Sequence, residues 1–82
     1  MNELLIQVHA PAINATYDII IPTNVRIYEL TKLITNVVVS LSDGLFLSQD
    51  VVLCDGDTGV IYNATLTVDE IGLRNGANLI LV

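Results

Sequence analysis

Positive charge is scarce in this chain: three Lys and Arg residues stand against nine Asp and Glu, a formal net charge of −6 over 82 residues. A surface of that sign repels phosphate backbones, so nucleic acid and anionic membrane are poor partners and no nucleic-acid partner is expected. No apolar run approaches the ~20 residues that a membrane helix needs. The opening Met1-Asn2-Glu3 carries an acid where a signal peptide carries bases. A cytoplasmic protein with no direct membrane insertion is therefore expected. Cysteine occurs once, at Cys54, so no internal disulfide can close, which fits a reducing compartment. Histidine also occurs once, at His9. A lone imidazole has no second ligand at metal spacing and no triad to complete, so Cys54 reads as a small apolar strand residue rather than a nucleophile.

Catalytic patterns are missing as well. There is no Gly-rich phosphate loop, no Ser-His-Asp set, no paired acids and no metal cluster, so no enzyme activity and no cofactor is expected. Asp55-Gly56-Asp57-Thr58-Gly59 has a faint likeness to a calcium loop, but the twelfth position of such a loop would be Leu66 rather than Glu. It reads as a hairpin turn. Asn14-Ala15-Thr16 and Asn63-Ala64-Thr65 match the glycosylation acceptor, yet without a signal peptide they read as turns.

What the chain does have is apolar periodicity, with 52% hydrophobic and 15% charged residues in a length that suits one small core. Leu4, Ile6 and Val8 alternate with Leu5, Gln7 and His9. After a turn over Pro11–Asn14, Tyr17, Ile19 and Ile21 repeat the alternation, which predicts an antiparallel hairpin ended by Pro22. Thr23 is the expected N-cap of a helix whose stripe is Ile27, Leu30, Leu33, Ile34, Val37 and Leu41. Glu29 and Lys32 are placed to pair at i,i+3 on its wet side. The β-branched run Val37-Val38-Val39 is expected to loosen that helix before Ser40–Gly44. Leu45–Gln49 should tuck one or two apolar side chains under the sheet. Val51–Cys54 reads as a strand, and Val60-Ile61-Tyr62 as a short strand pairing back across the Asp55–Gly59 turn. A helical turn at Val68 and Ile71, a bend at Leu73-Arg74-Asn75-Gly76, and a strand with Leu79 and Leu81 on one face complete the order β-β-α-β-β-β.

That order resembles the β-grasp, or ubiquitin-like, fold along nearly the whole chain. An α+β domain spanning residues 1–82 follows, with a mixed sheet of four to five strands packed on one helix. More narrowly, Thr16-Tyr17-Asp18-Ile19-Ile20-Ile21-Pro22, then Ile27, Leu30, Leu33 and Ile34, and the ending with Ile71, Asn75-Gly76 and Leu79-Ile80-Leu81 resemble the YukD/EsaB family of bacterial type VII secretion. The resemblance implies a non-enzymatic accessory or regulatory protein whose partner is a secretion-system component. Val37-Val38-Val39 and the Asp55-Gly56-Asp57 turn match no motif of that family. Conjugated modifiers end in a Gly-Gly that an enzyme activates; this sequence shows none, so conjugation is not expected.

Placing Leu4, Ile6, Val8, Tyr17, Ile19, Ile21, Val52, Cys54, Leu79 and Leu81 inward leaves an outward set that is not polar. Leu5, His9, Ile20, Val51, Leu53, Ile80 and Val82 are the expected protein-binding residues, sharing the solvent face with Gln7 and Asp18. Apolar patches of that extent often mark interaction sites. A one-residue shift in register would swap the two faces. The same surface, or the exposed edge of the second strand, could instead join two copies of the chain into a homodimer. His9 is expected to have Asp18 as its cross-strand neighbour.

Overall fold

In the computed structural model, which describes residues 2–46 and 50–82, the two alternating segments form β1 (Glu3–Ala10) and β2 (Ala15–Pro22). They pair antiparallel from Glu3 opposite Pro22 to Ala10 opposite Ala15. The turn between them is a 3-10 turn at Pro11–Ile13 closed by Asn14 in the left-handed region, φ 48°, whose N–H donates to the Pro11 carbonyl. Asn tolerates that conformation better than most side chains.

Helix α1 (Ile27–Leu41) starts four residues after the expected cap. Thr23 is instead buried, its N–H donating to the Asn2 carbonyl and its carbonyl accepting from Asp69. Those tertiary bonds hold it as an extension of the hairpin. The cap position falls to Arg26, whose N–H donates to the Glu29 carboxylate. The Val37–Val39 run does not loosen the helix, which continues to Leu41. Val38 is fully buried and Val39 half-buried against the core, and burial of that kind outweighs a β-branched propensity cost of a few tenths of a kcal/mol per residue. Thr31 and Thr35 donate their hydroxyls to the Ile27 and Thr31 carbonyls one turn back, so neither is left unpaired inside.

Two further short elements follow. Strand β3 (Leu53–Asp55) is the outermost strand on the far side, and α2 (Val68–Ile71) precedes β4 (Ala77–Leu81). The sheet order is β2-β1-β4-β3, with β4 parallel to β1 and β3 antiparallel to β4. The expected strand at Val60-Ile61-Tyr62 is reduced to one bridge between Cys54 and Ile61, with the Tyr62 N–H donating to the Leu53 carbonyl. In the 45–49 connection Phe46 is buried and Leu45 exposed; residues 47–49 lie outside the described residues.

Helix α1 covers one face of the sheet. Ile27, Leu30, Ile34 and Val38 meet Ile6, Val8, Ile19, Ile21, Leu53, Leu79 and Leu81 in a single core that Val68 of α2 closes. The helix is rotated relative to the expected stripe. Leu33, Val37 and Leu41 are 47%, 36% and 56% exposed, because the sheet meets the side of the helix centred on Ile34 and Val38.

Candidate functional site

Among the described residues no helix lies on the other face of the sheet, and pairing assigns its residues. Directly opposite residues share a face, so Leu5 and Ile20, Gln7 and Asp18, and His9 and Thr16 stand together on β1 and β2. Across the parallel pair, Asn78 joins Gln7 and Ile80 joins His9. Antiparallel β3 then sets Cys54 beside Ile80. Val52 and Val82 bond to each other in both directions, N–H to carbonyl at 2.7 and 3.0 Å, which puts both on this face beyond Cys54.

Of the seven residues expected here, five are in place. Leu5, Ile20 and Val82 are exposed, Ile20 at 65%, while His9 and Ile80 are half-buried. Two are not. Leu53 is 1% exposed and belongs to the core, and Val51 packs against that core from the helix side. The outward residues of this segment are Val52 and Cys54, the reverse of the expected assignment. Cys54 is nonetheless buried, being short and flanked by Ile80 on one side and Ile61 on the other. The reason for the error is local: Val51-Val52-Leu53 is apolar without alternation, so its period says nothing about which residue faces in. The signal lies in its pairing with Leu81, which is buried.

The face is also not one continuous apolar row. Ile20 and Leu5 form a pair at one end; Ile80, Cys54, Val52 and Val82 form a larger group at the other. Between them runs a polar line of Asp18, Gln7 and Asn78, ending at Gly56. A shallow depression lined by Gln7, His9, Thr16, Asn78 and Ile80 sits beside it. The expected His9–Asp18 neighbours are not opposite each other. The His9 Nδ1 lies 2.9 Å from the Thr16 hydroxyl, while Asp18 faces Gln7.

Asp55 and Asp57 flank the end of the polar line. The Asp55 carboxylate accepts the Asp57 N–H at 2.9 Å, and the Gly59 N–H returns to the Asp55 carbonyl at 2.8 Å. This is a turn closed on itself, and no group of three His, Cys, Asp or Glu able to hold a metal occurs among the described residues. The Tyr62 phenol close by is pushed up to about 12 by burial and by the charges of Asp55 and Asp57. It lines a separate groove of about 540 Å³ between α1 and β3, together with Tyr28, Lys32 and Val51. The one hydroxyl–imidazole contact in these concavities among the described residues, His9 with Thr16 at 2.9 Å, has no third side chain hydrogen-bonded to the ring to orient it.

No protein-family model and no curated protein sequence matches the chain. Solved structures do. A chain of the MycP5-free ESX-5 inner membrane complex superposes with a TM-score of 0.86 at 19% identity, covering 100% of this chain and 21% of that one. The ubiquitin-like domain of the Mycobacterium tuberculosis type VII secretion protein ECCD1 gives 0.78 at 13% identity, over 100% of this chain and 99% of that one. The EccD5 ubiquitin-like domain from Mycobacterium xenopi gives 0.73 at 16% identity, over 100% and 94%. At such identities the likeness establishes the fold, which is ubiquitin-like. The chain spans about a fifth of the ESX-5 chain that it matches.

Proposed function

We propose that this ubiquitin-like domain is a non-enzymatic contact module of a type VII secretion system, working on the cytoplasmic side and docking through its open sheet face onto a protein of the apparatus. The observation that carries this reading is the open face itself, where Leu5, Ile20, Val52 and Val82 are exposed on a small acidic domain and no element of the described residues packs over them. Support for the pathway comes from the ESX-5, ECCD1 and EccD5 structures, whose domains share the fold and belong to that machinery.

The face also has a chemistry to match. Two apolar groups separated by a polar line with Asp18 at one end and Asp57 at the other favour a partner that presents apolar side chains on either side of a Lys or Arg. The net charge of −6 steers the same class of surface. Association should accordingly weaken with salt.

The test is co-purification with a reconstituted type VII inner-membrane complex, comparing the wild-type chain with Ile20→Asp/Ile80→Asp. Both substitutions are on the open face, so the variant should keep its circular dichroism and lose the complex. Undiminished binding by a folded variant would remove the face from consideration.

A further inference from the structure

Hydrogen bonds at its open end fix the polarity of the β1–β2 ladder. The Thr23 N–H donates to Asn2, one step beyond Pro22 and Glu3 in the register, and Leu5 directs its own groups to β4 through Asn75 and Gly76. Alternation then turns the odd residues Ala15, Tyr17, Ile19 and Ile21 toward β1, and the N–H groups of Thr16, Asp18 and Ile20 away from the sheet. β2 is an edge strand of eight residues with an open row of donors and acceptors and no lysine to blunt it.

Beside that edge lies the displaced helix stripe. Tyr28, Thr31, Lys32 and Thr35 of α1 face the groove toward β3, so the opposite flank, carrying Leu33, Val37 and Leu41, overhangs β2. These three recur at i, i+4 and i+8, which makes one continuous apolar strip of about three turns. None of the acids lies within it.

We propose that this edge and strip form a twofold interface with a second copy of the chain, β2 pairing antiparallel with β2. A twofold contact must be self-complementary, and the strand permits few registers. Centring the axis on Asp18 would set Asp18 directly against Asp18 of the second copy, which is unfavourable. Centring it on Ile20 leaves four ladder bonds: two from Ile20 with its counterpart, and one from each Asp18 N–H to a Pro22 carbonyl. Centring it on Ile19 gives six: two from each of the two Asp18–Ile20 pairs, and one from each Thr16 N–H to a Pro22 carbonyl. That register opposes no two acids, and it places Pro22, which has no N–H, at the end of the ladder where the loss is least. On the helix side it brings the two Leu33, Val37 and Leu41 strips together over the joint. This interface is distinct from the open face that the functional proposal uses, apart from its margin at Ile20.

Sedimentation equilibrium of the wild-type chain from micromolar to near-millimolar concentration should show a reversible monomer–dimer step. Amide exchange at Thr16, Asp18 and Ile20 should slow as the dimer fills. Val37→Lys/Leu41→Lys, both at exposed positions, should keep the monomer fold and raise the dimer dissociation constant by about tenfold or more. A chain that stays monomeric throughout overturns the proposal. So does a dimer that leaves those three amides unprotected, or one that survives in the double-lysine variant. Because neither lysine is on the open face, loss of the dimer with retained binding to the secretion complex would separate this inference from the functional one.

Discussion

Gly56 and Asn78 touch backbone to backbone: the Gly56 N–H donates to the Asn78 carbonyl at 2.7 Å, and a β carbon on residue 56 would lie 2.7 Å from that same oxygen. The contact ties the Asp55–Gly59 turn to the end of the polar line on the open face. No side chain can enter without moving β4. Gly56→Ala is therefore expected to cost about 1–3 kcal/mol, the range for overpacking a close contact, measured by urea denaturation.

Leu53 is buried in the core whereas Ile20 is 65% exposed on the open face. Leu53→Ala should destabilise by about 2–5 kcal/mol, since it empties a core site, whereas Ile20→Ala should stay within about 0.5 kcal/mol. Equal effects at the two positions in denaturant midpoints would contradict the assignment of Leu53 to the core.

At the start of α2 the Thr67 hydroxyl accepts the Glu70 N–H at 3.1 Å while the Glu70 carboxylate accepts the Thr67 N–H at 2.9 Å. Thr67→Ala should cost about 1 kcal/mol, as the loss of an N-cap does. The Glu70 carboxyl is held below its usual value by the backbone and side-chain bonds of Thr67. A lowered carboxylate contributes stability above its unfolded value and loses it as pH falls through the folded one. The acid limb of an unfolding-versus-pH curve should thus be shallower in Glu70→Gln.

Tyr62 acts at the other end of the scale. Burial first, then Asp55 and Asp57, push its phenol up to about 12, so its neutral form is favoured by folding. The contribution is complete below the ordinary phenol value of about 10 and is lost as pH rises toward about 12. Ultraviolet phenolate absorbance should show one of the three tyrosines titrating late, and Tyr62→Phe should remove that component.

Much of this architecture was legible in the residues. The alternation from Leu4 to His9 and from Tyr17 to Ile21 placed β1 and β2 on the correct faces, because each strand has one wet and one dry side and the chain records it directly. Leu79 and Leu81 did the same for β4. The likeness to ubiquitin-like folds followed from that order of elements and holds in the structure.

Three features depended on the packed whole. Thr23 looks like a helix cap but is bonded to Asn2 and Asp69, partners remote in sequence, and Val37-Val38-Val39 stays helical because the core needs Val38. Val51-Val52-Leu53 carries no alternation, so only its ladder with Val82 and Leu81 decided that Leu53 goes in and Val52 out. The sequence by itself determined the order of the elements, apart from the strand expected at Val60-Ile61-Tyr62 that is reduced to one bridge, since local period and turn chemistry are properties of neighbouring residues. Tertiary structure alone decided the rotation of α1, the facing of β3 and the polar line that divides the open face, because each depends on which distant strand lies alongside.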